Sequence, residues 1–170
     1  VQIAVNLSLR HLQQPELVDT VREALAEHGI APHRLVLEIT ESAVMENGGG
    51  TVEALRGLKA LGVKLALDDF GTGYSSLAHL HRFPLDILKI DRSFTASVGQ
   101  EGEQASIAGA IVSISRALGL STVAEGIEDE AQRRELARLG SACGQGYLFA
   151  RPQSPAAFDA VLAAGGGTRA

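Results

Sequence analysis

Short apolar runs alternate along this chain with longer stretches in which apolar residues recur every three or four positions. The runs predict strands over Gln2–Asn6, Arg34–Thr40, Val63–Asp68, Ile87–Asp91, Thr122–Glu125 and Gly146–Phe149. The stretches predict helices over Glu16–His28, Thr51–Leu61, Ser75–His81, Glu103–Leu118, Glu130–Leu139 and Pro155–Ala164. In the first of these, Leu17, Val18, Val21, Ala24 and Leu25 fall on one helical face. Ser154-Pro155 is a helix start, with a capping hydroxyl followed by a proline in the first turn. Gly29, Gly62, Gly119 and Gly140 stand where helices should stop.

Strict alternation of strand and helix implies β/α units and a parallel sheet. The strands are nearly continuous in apolar residues, as expected when helices cover the sheet. Strand starts recur roughly every 25–35 residues, a spacing typical of β/α barrels and also possible in an open sheet. The expected fold class is therefore α/β, a (β/α)8 barrel of which about six units lie here. A buried strand at the very start, Val1-Gln2-Ile3-Ala4-Val5, leads us to expect an N-terminally truncated domain over 1–164, missing about two strands. Residues 165–170, rich in glycine, read as a loose tail.

Composition narrows the class. The chain has 170 residues, 45% of them hydrophobic, enough for one domain with a real core. A net charge of -5 without a Lys or Arg run argues against a nucleic-acid polymer as partner. The single cysteine, Cys143, excludes an internal disulfide and suits a reducing compartment, the cytoplasm. It reads as a small buried residue rather than a catalytic thiol. No apolar run is long enough to cross a bilayer, although a parent protein could still be tethered. The histidines form no zinc-binding pair on one helix face, and no nucleophile elbow is present.

Polar residues collect where the apolar runs end. These are Asn6, Glu38 with Glu41, Asp68-Asp69, Lys89 with Asp91, Glu125 with Glu128, and Gln145. The C-terminal strand ends of a β/α barrel converge on one mouth, so residues remote in sequence should meet there. Several carboxylates in one cavity would raise one another's pKa values and cost stability. Hard divalent cations relieve that cost, since they take carboxylate and amide oxygens as ligands. Adjacent Asp68-Asp69 suits a pair of ions roughly 3.5–4 Å apart, an arrangement used on phosphodiesters. Lys89 supplies positive charge for a phosphate or an attacking hydroxide. Each residue alone has a structural account, as a cap, an ion pair or a solvated loop carboxylate. The repetition at strand after strand is what capping does not explain. Gly71-Thr72-Gly73-Tyr74-Ser75-Ser76 lacks the signatures of a dinucleotide or P-loop turn and reads as a pliable loop beside the site.

Six segments occur in order: Val5-Asn6-Leu7-Ser8, Leu37-Glu38-Ile39-Thr40-Glu41, Asp68-Asp69-Phe70-Gly71-Thr72-Gly73, Leu88-Lys89-Ile90-Asp91-Arg92-Ser93-Phe94, Ala124-Glu125-Gly126-Ile127-Glu128 and Gly144-Gln145-Gly146-Tyr147-Leu148-Phe149. With them the chain resembles the EAL family of bacterial cyclic di-GMP phosphodiesterases. The resemblance implies hydrolysis of cyclic di-GMP to linear pGpG with Mg2+ or Mn2+. It implies that Asn6, Glu38 and Asp68 hold a first ion, and that Asp68, Asp69 and Glu125 hold a second. Glu125 is implied as general base and Lys89 as the contact of the hydrolytic water. Glu41 is implied to steady the loop after Asp69. That loop and a neighbouring helix are implied to form a homodimer contact. Asp91, Glu128 and Gln145 are implied as supporting or substrate-side residues, and regulatory domains are expected on the parent chain. The naming Glu-Ala-Leu motif is expected upstream of residue 1. Glu23-Ala24-Leu25 and Glu53-Ala54-Leu55 fall in helical patterns and read as chance matches. The alternative is a catalytically inactive module that binds cyclic di-GMP or a partner protein.

Overall fold

In the computed structural model the described residues are 1–45, 48–71, 80, 82–98 and 103–163. Six strands form one sheet in sequence order, every neighbouring pair parallel. They are β1 (Ile3–Asn6), β2 (Leu35–Thr40), β3 (Lys64–Phe70), β4 (Ile87–Ile90), β5 (Ser121–Ala124) and β6 (Cys143–Gly144). The sheet curls into a partial barrel of the TIM type, with helices outside it. The long helices are α2 (Leu17–Glu27), α4 (Gly48–Ala60), α6 (Glu103–Ala117), α7 (Glu130–Leu139) and α8 (Pro155–Ala163). Three short ones, α1 (Leu9–Leu12), α3 (Glu41–Met45) and α5 (Arg92–Thr95), each follow close on the end of a strand.

Alternation along the strands explains the core. Leu37, Ile39, Leu65, Leu67, Leu88, Ile90 and Ala124 point outward and join Leu25, Leu55, Leu58, Ile111 and Leu136 from the helices in one buried cluster. The opposite, concave face carries Asn6, Val36, Glu38, Ala66, Asp68 and Lys89 by the same alternation. A parallel strand covered on its outer side thus reads as apolar, with one polar residue near its end.

At the opposite end of the barrel, Asp86 ties three strands together. Its carboxylate accepts from the Leu65 amide at 2.9 Å and from Lys59 Nζ at 2.6 Å. Its backbone amide donates to the Leu65 carbonyl at 2.9 Å, and its carbonyl accepts from the Ser121 amide at 2.9 Å.

Predicted and observed elements agree closely for five strands and five long helices. Gly29, Gly62, Gly119 and Gly140 all take the left-handed conformation that ends a helix. Ser154 caps α8 through its hydroxyl, which accepts from the Ala157 amide. The predicted helix Ser75–His81 and tail 165–170 lie outside the described residues, Leu80 apart.

Two expectations are corrected. The last strand is Cys143–Gly144, not Gly146–Phe149, which forms a turn. Leu148 and Phe149 are apolar because they pack on the core from that turn. The Leu148 amide donates to the Ile127 carbonyl at 3.0 Å, while Phe149 and Ala150 donate back to Gly146. Cys143 is exposed rather than buried. It sits on β6, an edge strand with no further neighbour among the described residues. The helical placement of Glu23-Ala24-Leu25 and Glu53-Ala54-Leu55 holds, in α2 and α4.

Candidate functional site

Register places the polar strand ends together. Asn6 lies directly across from Glu38 in the β1–β2 pair, and Thr40 across from Asp68 in the β2–β3 pair. Lys89 pairs with Val123 on β5, two residues before Glu125. The Lys89 ammonium donates to Glu38 Oε2 at 2.8 Å, to Asp68 Oδ2 at 2.9 Å and to Glu125 Oε1 at 2.6 Å. One cation therefore joins carboxylates from β2, from β3 and from just beyond β5. Only 5% of its side chain is exposed.

Adjacent residues in a regular strand point to opposite faces. Asp68 and Asp69 nevertheless line one cleft with Asn6, Ser8, Thr40 and Ser42. The strand makes this possible by breaking its register between Leu67 and Phe70. Asp69 takes a left-handed backbone with φ of 57°, which asparagine and aspartate tolerate better than other side-chain-bearing residues. Its amide donates to Asp68 Oδ1 at 3.0 Å. Behind the bulge, buried Glu41 accepts from the Gly71 amide at 3.4 Å. Residues 72–79, the rest of the loop assigned to Glu41, lie outside the described residues.

Glu125 stands where two segments are stitched. Its amide donates to the Ile90 carbonyl at 3.0 Å, and Gln145 Nε2 donates to its Oε1 at 2.7 Å. Gln145 is held in turn by its amide on the Ala124 carbonyl and by the Ile127 amide on its own carbonyl. Past Glu125 the loop is fixed by a capping box. Asp129 accepts from the Gln132 amide at 2.8 Å, and Gln132 Oε1 accepts from the amides of Glu128 and Asp129. Asp91 caps α5, accepting from the Ser93 amide at 2.9 Å and the Ser93 hydroxyl at 2.5 Å.

The electrostatics follow from this packing. Burial pulls the Lys89 ammonium down in pKa, but the hydrogen bonds it donates to Glu125, Glu38 and Asp68 outweigh it and hold the group well above the ordinary lysine value. Burial raises the Glu125 carboxyl, helped by the charges of Asp68 and Glu38 and opposed by Lys89. Asp69 is raised by burial and by the nearby charges of Asp68 and Asp91. Asp91 is lowered: its hydrogen bonds from Ser93 and the charge of Arg92 overcome its burial.

A second, open cleft of about 810 Å³ flanks Glu125. The sequence reading places Glu128 and Gln145 on the substrate side, and both line it. Arg92, Tyr147 and Arg151 line it too and are missed by that reading. The Arg151 guanidinium lies 4.5 Å from the centre of the Tyr147 ring. Arg92 is one residue past a strand end, and Tyr147 sits in the segment read as a strand, so the strand-end rule passes over both. Among the described residues, no three Asp, Glu, His or Cys side chains stand grouped around a single ion position. The donor chemistry is nonetheless that of a hard divalent ion, with carboxylates and the Asn6 amide as oxygen ligands.

Comparison with known proteins finds relatives in sequence and in fold. The EAL domain family matches residues 1–152. The bifunctional diguanylate cyclase/cyclic di-GMP phosphodiesterase MucR of Pseudomonas aeruginosa is 47% identical over 150 residues, 88% of this chain and 22% of that protein. The cyclic di-GMP phosphodiesterase NbdA of the same organism is 45% identical over 163 residues, 96% of this chain and 21% of that protein. This chain thus spans about a fifth of the length of either relative. Among solved structures, the MucR phosphodiesterase in complex with c-di-GMP superposes with a TM-score of 0.85 at 45% identity, covering 92% of this chain and 64% of that one. BlrP1 of Klebsiella pneumoniae with manganese and cyclic di-GMP superposes with a TM-score of 0.82 at 34% identity, covering 89% of this chain and 39% of that one.

Proposed function

This chain belongs to the EAL domain family, and from that membership and its site we propose that it carries the catalytic face of a metal-dependent phosphodiesterase hydrolysing cyclic di-GMP to linear pGpG. The observation that carries the reading is the meeting of Glu38, Asp68 and Glu125 on Lys89, with Asn6 and Asp69 beside them. No position of the six segments expected to bind metal or perform chemistry has been replaced, which favours an enzyme over an inactive binding module.

Asn6, Glu38 and Asp68 would hold one divalent ion, and Asp68, Asp69 and Glu125 a second. When bound, Mg2+ or Mn2+ supplies charge neutralisation at the phosphate and a more acidic water. The chain's own residues do the positioning. Glu125 is anchored through Oε1 by both Lys89 and Gln145, so Oε2 is the oxygen that takes a proton from water. Lys89 keeps an ammonium at the point where negative charge develops. Glu128, Arg92 and the Tyr147–Arg151 pair line the cleft into which the rest of the dinucleotide extends, offering an acceptor, cationic donors and a flat surface for a base.

The proposal extends to architecture. β1 is exposed along its length, with Ile3 at 55% and Val5 at 47% exposure. Such a surface suits cover by two further β/α units, which would also bring the Glu-Ala-Leu glutamate to the same mouth. Homodimerisation through the loop after Asp69, and regulatory domains elsewhere on the parent chain, complete the reading.

The test is direct. The chain, with and without its upstream coding sequence, is incubated with cyclic di-GMP and Mn2+, and pGpG is followed by chromatography. The extended form should turn over substrate. Glu125→Ala should abolish turnover while still binding the dinucleotide. Binding without turnover in the unsubstituted extended form refutes the enzyme reading.

A further inference from the structure

We propose that Lys89 is the built-in counter-cation of this site, a positioning residue that holds β2, β3 and β5 together without a divalent ion and sets how tightly such ions bind. The inference rests on the reading of Glu38, Asp68 and Glu125 as metal ligands, and it concerns binding rather than turnover.

Three observations carry it. First, an ammonium has three N–H donors, and Lys89 directs them to three carboxylates at 2.6–2.9 Å. Second, those carboxylates come from separate parts of the sheet. Lys89 lies on β4, beside β3 and β5, yet its ammonium reaches past β3 to Glu38 on β2. The ion pairs therefore span four neighbouring strands at the barrel mouth. Third, the group is almost wholly buried, and a buried charge persists only when paired.

The charge balance gives the consequence. Glu38, Asp68, Asp69 and Glu125 bring four negative charges to one small region, and Lys89 offsets one. A residual charge of about -3 still attracts divalent ions. Those ions must share ligands from which Lys89 already takes Glu38 Oε2, Asp68 Oδ2 and Glu125 Oε1. Lys89 thus has two opposed effects. It makes the carboxylate cluster tolerable in metal-free solution, and it weakens metal binding. A unit charge within a few ångströms of a divalent ion changes its affinity by at least about tenfold, even at a high effective dielectric.

The experiment compares the chain extended by its upstream coding sequence with its Lys89→Met and Lys89→Gln variants, without nucleotide. Thermal unfolding is measured in chelator and again with saturating Mn2+, and Mn2+ affinity is measured by calorimetry. Both variants should melt several degrees below the unsubstituted chain in chelator. Both should bind Mn2+ at least about tenfold more tightly, and both should recover most of the lost melting temperature once saturated. A merely structural lysine would lower the melting temperature without tightening metal binding. Unchanged or weaker Mn2+ affinity in the variants overturns the proposal. So does failure of both variants to fold with Mn2+ present, because the ion should replace the ammonium. Absence of Mn2+ binding by the unsubstituted extended chain refutes the metal reading itself, a different outcome from either.

Discussion

Substituting Gly146 by alanine should damage this protein more than any simple glycine rule implies. A Cβ at residue 146 would lie 2.2 Å from both the amide nitrogen and the carbonyl oxygen of Ile127. These are backbone atoms, so no side chain can rotate away. Ordinary contact requires the two segments to part by more than an ångström. They are joined by the Ile127 amide on the Gln145 carbonyl and the Leu148 amide on the Ile127 carbonyl, each at 3.0 Å. Separation on that scale breaks both bonds, at about 1 kcal/mol each. It also loosens Ile127, which is 1% exposed, adding about 1–2 kcal/mol. The expected loss is therefore about 3–4 kcal/mol, or a fall in Tm of roughly 6–15 °C for a chain of this size. Gly29→Ala is the control. Gly29 has a φ of 62° but no atom within 4 Å of the added Cβ, so it bears only the left-handed backbone cost, about 1 kcal/mol. Thermal unfolding by circular dichroism decides the matter. If Gly146→Ala melts no lower than Gly29→Ala, the stitch between the β5 loop and the β6 turn does not hold as described.

Two further outcomes test other parts of the chain. Asp86→Ala should cost about 1–3 kcal/mol in urea unfolding, because the buried Leu65 amide loses its side-chain acceptor, whereas Asp86→Asn keeps one and should cost less than about 1 kcal/mol. Equal losses would show that the Lys59 ion pair, not the acceptor, matters. Asp91 has a depressed folded-state pKa, so its ionised cap stabilises the fold above the ordinary aspartate range, and that stability is lost as pH falls through the lowered value. The Tm advantage of the unsubstituted chain over Asp91→Asn should be present at neutral pH and vanish in strong acid. An advantage independent of pH would remove the charge from the account.

The sequence reading succeeded where one physical signal dominated. Strands covered by helices must be apolar, so β1 to β5 announced themselves as runs, and the last polar residue of each marked the barrel mouth. It failed where packing and strand pairing diverge. Leu148 and Phe149 are apolar, but they reach the core from a turn. Cys143 lies in a strand but at its open edge. The site was legible as a set of strand ends, and Asn6, Glu38, Asp68, Lys89 and Glu125 do gather there. What no strand-end count reveals is that Lys89 is the hub of three carboxylates. Nor does it reveal that Asp91, two residues on, spends its carboxylate capping α5. Tyr147 and Arg151 lie in a turn and the segment after it, and Arg92 opens the one-turn helix α5, so none of the three sits in a periodic pattern long enough to read.

The bulge in β3 bears on how this site can be copied. Asp68 and Asp69 share a cleft only because the strand slips register between Leu67 and Phe70 and Asp69 turns left-handed. A designer who grafts the dipeptide onto a regular strand of another barrel would obtain one carboxylate in the cavity and its neighbour driven into the hydrophobic layer beneath the helices. The transferable unit is the whole irregular strand end, Leu67 through Gly71, with Glu41 behind it.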